Sequence, residues 1–217
     1  FRSRWPGGNL MLRHTGRDRP GQEQGELRAD RLDLAALALI ASRLPMGEAV
    51  HGALDTYAPA GLVDEVQATW RGPLSAPQQY QVRGAVSGLA LAAQTPVAKT
   101  PRVAGLSGAN VQFDLTQAGG KATLAMADGA LLLPQVFEEA LVPVDRLNGT
   151  VRWQIDGEKL AVQASELRFA NADAQGEARL SWHTADPARS PGRSRFPGVL
   201  DLSGSLERAD GTRVHRY

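Results

Sequence analysis

Four histidines, His14, His51, His183 and His215, are the side chains best suited to metal ligation or general-base work at neutral pH. No pair of them stands at a zinc-ligand spacing and no His-Glu-x-x-His is present, so the sequence offers nothing on which to build a metal site. His51 and Asp55 lie four apart, where one helix face would bring them together as a dyad; an exposed helix pair is the ordinary outcome of that spacing. Gly105-Leu106-Ser107-Gly108 has the outline of a nucleophile elbow. The glycine required two residues after the serine is Ala109, however, and an alternating stretch follows where the elbow needs a helix. Asn171-Ala172-Asp173-Ala174-Gln175-Gly176 imitates the start of a calcium loop, but its twelfth position is Trp182 instead of a bidentate glutamate, and a strand turn explains it better. Gly119-Gly120-Lys121 lacks the Ser or Thr of a phosphate loop, and Glu138-Glu139 has no identifiable acidic partner. Asn148-Gly149-Thr150 is formally a glycosylation acceptor placed where a strand begins. No enzyme is expected, and neither a metal nor a cofactor.

Composition agrees with that quiet chemistry. The 217 residues suffice for one substantial core, and a hydrophobic content of 42% is ordinary for a folded protein. A net charge of +1 gives no footprint for a nucleic-acid partner. The absence of cysteine removes disulfides and thiol nucleophiles and leaves the compartment open. The longest apolar run, Leu34 to Ala41, is far short of the roughly 20 residues that span a bilayer. The chain begins at Phe1 and stops just beyond a strand-like pattern, and we expect a piece of a longer protein.

The elements available to position side chains are mostly strands. Asn9 to His14 alternate around Leu10 and Leu12, and Glu26 to Ala29 around Leu27, with a Gly- and Pro-containing loop between them. Asp33 can cap a helix carrying Leu34, Leu37, Ala38, Ala41 and Leu44 at spacings of three and four until Pro45. A second helix is expected from Glu48 to Tyr57, ended by Pro59. From Leu62 the period changes to two. Val66, Ala68 and Trp70 alternate, then Tyr80, Val82 and Val86, then Leu89 and Leu91 after Gly88, then Val111, Phe113 and Leu115. A turn at Ala118 to Gly120 leads to Ala122, Leu124 and Met126, and Asp128-Gly129 is expected to turn the chain again toward Leu131 and Leu133. Val151, Trp153 and Ile155 precede a turn at Asp156-Gly157; Leu160, Val162 and Ala164 return, Leu167 and Phe169 begin another strand, and Ala178, Leu180 and Trp182 follow Gly176. Arg189, Arg193 and Arg195 fall in a long loop, Ala185 to Pro197, read as a solvated connection before a last strand with Leu200, Leu202 and Leu206. The expected fold is mainly β (α+β): residues 1–30 short strands and loop, 33–58 a helical insertion, 62–208 an antiparallel, strongly curved amphipathic β meander.

About ten strands then offer two or three apolar side chains each to one face, and two short helices cannot cover them. Fully burying a Leu- or Phe-sized side chain contributes about 1.5–3 kcal/mol, so something must shelter that face. A second sheet is the common solution and gives a closed, dry β-sandwich. A foreign apolar molecule is the other.

Family resemblance bears on that choice. "LRADRLDLAALALIASRL" (27 to 44), "APAGLVDEVQATWRG" (58 to 72), "PRVAGLSGANVQFDLTQAGGKATL" (101 to 124) and "PVDRLNGTVRWQIDG" (143 to 157), in this order, resemble the AsmA-like envelope proteins of Gram-negative bacteria, specifically the YhdP branch. The similarity covers about Glu26 to Leu206; none of these stretches is a catalytic motif, and the Arg-rich first 20 residues and the basic loop at 185 to 197 fit the pattern poorly. The resemblance implies an internal segment of a long β-rich protein anchored in the inner membrane outside this segment. Such a protein would cross the periplasm as a curved sheet with an apolar groove that carries phospholipid toward the outer membrane. Its partner there would be phospholipid acyl chains. On strand alternation, the residues expected to line the groove are Phe113, Leu115, Leu124, Met126, Val151, Trp153, Ile155, Val162, Leu180 and Trp182.

Overall fold

A computed structural model describes residues 7–16, 23–43, 48–93, 104–134, 139–188 and 194–213. Ten strands form one antiparallel sheet in which each strand pairs with its sequence neighbours: β1 (Asn9–Thr15), β2 (Gln24–Asp33), β3 (Ala60–Arg71), β4 (Gln79–Leu91), β5 (Gly105–Thr116), β6 (Gly119–Leu132), β7 (Leu141–Asp156), β8 (Lys159–Ala170), β9 (Ala174–His183) and β10 (Val199–Ala209). The sheet does not close, since β1 and β10 are its two edges. All ten strands belong to this one layer, so the two-sheet sandwich weighed from periodicity does not form. Short polar or glycine turns favour this meander, because each hairpin completes its ladder before the next strand is made.

Two helices interrupt the meander between β2 and β3: α1 (Leu34–Ala41) and α2 (Glu48–Tyr57). The Asp33 carboxylate accepts a hydrogen bond from the Ala36 N–H at 2.9 Å, satisfying one of the free amides that begin a helix. Helix α1 ends at Ala41; Leu44 and Pro45 lie outside the described residues. Leu34 and Leu37 of α1 pack against a cluster of Ala29, Leu32, Val63 and Val86, in which Val63 is only 1% exposed. A second cluster, Ala109, Met126 and Val144, draws in Leu106, Leu124, Leu131 and Leu147.

Several expected breaks between strands are β-bulges inside longer strands. Strand β6 runs through Asp128-Gly129 without turning, β4 through Gly88, β5 through Gly108 and β8 through Glu166. Register shifts mark each crossing: between Val63 and Glu65 on β3, Val86 and Leu89 on β4, Ser107 and Ala109 on β5, and Ala164 and Leu167 on β8. Arg31, Asp128 and Glu166 take positive φ (49°, 54° and 56°) in mid-strand, as do Gly88 and Gly108. Bulges therefore follow one another across the sheet from β3 to β6 and recur on β8. Each one inserts unpaired backbone, bends its strand and increases the local twist, which curves the layer.

Candidate binding face

Directly paired residues of neighbouring strands share a face, so the register assembles the apolar side chains into rows across the sheet. One row runs Leu12, Leu27, Ala68, Val82, Leu115, Gly120, Trp153, Val162, Trp182, Leu200. The next runs Leu10, Ala29, Val66, Gly84, Phe113, Ala122, Val151, Ala164, Leu180, Leu202. Neither contains a charged or hydrogen-bonding side chain apart from the two indoles. All ten residues singled out from alternation lie on this face: seven in these two rows, Leu124 and Met126 further along β6, and Ile155 opposite Leu160. Met126 stands apart from the rest. It is 2% exposed inside the second cluster and is a core residue in this chain.

Glycines let the largest side chains lie flat on the face. A Cβ on Gly25 would meet the Trp70 ring at 2.0 Å, and one on Gly120 would meet Trp153 at 2.7 Å. Each indole therefore covers the bare backbone of the strand beside it, an arrangement that fixes the pairing register. The Trp70 indole N–H is buried without a hydrogen-bond partner, and the His14 ring stacks on Trp70 at 6.1 Å. Trp182 donates its N–H to the Pro197 carbonyl at 2.9 Å and stacks on Phe196.

The opposite face is largely polar. One of its rows reads Arg28, Gln67, Arg83, Asp114, Lys121, Arg152, Gln163, Ser181, Asp201. Arg83 donates to Gln67 at 2.6 Å and Gln81 to Asp114 at 3.3 Å, so these side chains satisfy one another or water. The contrast between the faces is the clearest feature of the molecule. Among the described residues no group of His, Asp and Glu is placed to hold a metal ion. Ser107 lies on strand β5, His51 and Asp55 on α2, and Asn171 closes the β8–β9 turn by accepting from the N–H groups of Asp173 and Ala174 at 3.0 and 2.7 Å. His215, Glu138, Arg189 and Arg193 lie outside the described residues. At the C-terminal end of the long loop Arg195 pairs with the exposed Glu158, and the Arg195 carbonyl accepts from the Ala185 N–H at 2.9 Å.

Shelter on the apolar face is uneven. The edge leucines Leu200, Leu202 and Leu206 are 56%, 65% and 63% exposed. Helix α1 is apolar all round, with no buried residue, and its Leu39 is 67% exposed. Val50, Ala53, Leu54 and Tyr57 of α2 face Pro59 and Leu91 across an apolar hollow of about 500 Å³. Sequence reasoning missed this hollow and the bulges; the pairing that creates them is not local to any one stretch. No described helix is long and apolar enough to cross a membrane.

No curated protein and no solved structure matches the chain. The profile of the family described as YhdP protein matches residues 2–217, nearly the whole sequence. With that match added to an open amphipathic sheet, the chain belongs to the YhdP family, in the AsmA-like group of envelope proteins.

Proposed function

We propose that the apolar face binds phospholipid acyl chains, and that the chain is an internal part of a protein that passes phospholipid between the inner and outer membranes across the periplasm. On this reading the parent protein is anchored in the inner membrane by residues outside this segment and supports the barrier of the outer membrane. One observation carries the proposal: apolar rows continue across ten strands, and among the described residues no second sheet covers them. Each lipid CH₂ moved from water onto such a surface gains about 0.8 kcal/mol, so a chain of ordinary length is held without any polar contact. The head group stays in water. A surface of this kind grips no single lipid strongly, which suits passage along the rows, and no side chain has to perform a reaction.

Photocrosslinking tests it. With a lipid carrying a photoreactive acyl chain, Leu124→Asp and Ile155→Asp are expected to reduce crosslinking while the far-ultraviolet spectrum of the folded sheet persists. Undiminished crosslinking in both folded variants would take these positions off the lipid path.

A further inference from the structure

The two helices meet the sheet differently. Helix α1 sets Leu34 and Leu37 on the cluster around Val63. On α2 the apolar residues Val50, Ala53, Leu54 and Tyr57 recur at i, i+3, i+4 and i+7, the stripe that an amphipathic helix lays on a core, while Glu48, His51 and Asp55 fall on the other side. That stripe meets a hollow of about 500 Å³ instead, bounded by Pro59 and Leu91, and Val50 and Tyr57 stay 37% and 42% exposed. Packing of the apolar stripe is what holds so short a helix in place, so α2 lacks part of its support.

The hollow is continuous with the apolar face. Leu91 pairs with Leu106, Leu106 with Leu131 and Leu131 with Val142, and both Leu106 and Leu131 pack on the cluster around Met126. A short apolar row therefore leads from the hollow across β4 to β7, apart from the two long rows. Chemistry selects the occupant. The six lining side chains offer no hydrogen-bonding group except the Tyr57 hydroxyl. The main chain is committed as well: the Leu54 carbonyl accepts from the Ala58 N–H at 2.9 Å, and the Tyr57 carbonyl from the Ala92 N–H at 2.8 Å. A peptide laid there would bring N–H and C=O groups that need partners, whereas a hydrocarbon chain brings none. A membrane surface fits no better, because α2 carries no Lys or Arg with which to approach anionic head groups.

We infer that the hollow is a separate acyl-chain pocket, in which the hydrocarbon of one lipid chain fills the space between α2 and Leu91 and completes the packing of the helix. This deepens the proposed function and rests on it. The long rows give lipid a surface along which to move; the pocket holds a chain between a helix and the sheet, so a lipid seated there leaves more slowly. Lipid in turn docks α2, while α1 is docked without it.

The full chain is labelled with phosphatidylcholine carrying a diazirine on one acyl chain, and the label is mapped by peptide mass spectrometry. Label is expected on α2 and at Leu91 as well as along the long rows. Ala53 is exposed, so Ala53→Asp displaces no packed side chain and puts a charge into the hollow. It should reduce the label at Leu91 about tenfold and leave the label on β8 and β9 unchanged. Asp55→Ala, on the other side of the helix, should change neither. Label along the long rows with none at α2 and Leu91 would overturn the inference and leave the proposed function standing; label nowhere would sink both. Label at Leu91 that survives Ala53→Asp, or that falls equally with Asp55→Ala, would also overturn it. So would a dimer of the chain that Ala53→Asp converts to monomer without loss of label, since a second copy would then fill the hollow. A further measurement needs no substitution: saturating phosphatidylcholine should slow amide exchange severalfold over Val50 to Tyr57 and leave Leu37 to Ala41 unaffected. Exchange in α2 that is the same with and without lipid would contradict the pocket.

Discussion

Replacing Leu202 by serine separates what the face does for the fold from what it does for a ligand. Leu202 is 65% exposed on β10, in the same row as Phe113 and Leu180. If full burial of a leucine is worth about 1.5–3 kcal/mol, the protein's own contacts recover about a third of that, and about 1–2 kcal/mol is left for an acyl chain to claim. Leu202→Ser should therefore lower unfolding stability by no more than about 1 kcal/mol, or about 2–4 °C in Tm. It should weaken phospholipid binding by about 5- to 30-fold. Met126→Ala, at a residue 2% exposed, should behave in the opposite way. About 2–5 kcal/mol of stability should be lost to the cavity, while the affinity of the protein that remains folded changes little. Thermal melting followed by circular dichroism gives the first quantity, and equilibrium titration with a fluorescent phospholipid gives the second. The reasoning is refuted if Leu202→Ser binds lipid as well as the unsubstituted protein, or if Met126→Ala loses affinity without losing stability.

Gly119→Ala should destabilise the β5–β6 hairpin by about 1–3 kcal/mol, because Gly119 has φ +140° and a Cβ would sit 2.2 Å from the Trp153 carbonyl oxygen; a Tm unchanged in a calorimetric scan would refute this. Asp33→Ala removes the cap of α1 and should cost about 1 kcal/mol, read as faster amide exchange over Leu34 to Ala41. Hydrogen bonds from the Asn9 side chain and backbone, with Arg31 nearby, hold the Asp30 carboxyl below its usual range. A depressed folded-state value favours folding above the ordinary carboxylate pKa and loses that contribution as pH falls through the depressed one, so β1 should fray first in acid. Chemical shifts of Asn9 to Leu12 that stay constant through the carboxylate range would contradict that.

The alternation of Val111, Phe113 and Leu115, or of Trp153 and Ile155, was enough to identify strands and to say which side chains share a face, because the side-chain period of a strand is fixed at two. The helix start was equally legible, since Asp33 is followed directly by the periodic leucines. Boundaries were not. Asp128-Gly129, Gly88 and Glu166 look like turns because a tight turn and a bulge make the same backbone demand, a residue that tolerates positive φ. Only the pairing of the strands on either side tells them apart, and that is a long-range property. For the same reason the sequence could not say whether the apolar side was closed by a second sheet, since a sandwich strand and a strand of an open sheet share one pattern.

The central claim is that the protein leaves an apolar face for lipid to cover, and it is tested most directly by native mass spectrometry of the chain purified from a Gram-negative envelope without detergent. The account predicts phospholipid adducts that organic extraction removes, after which the stripped chain self-associates through its uncovered face. A chain that carries no lipid and remains monomeric and folded would contradict it.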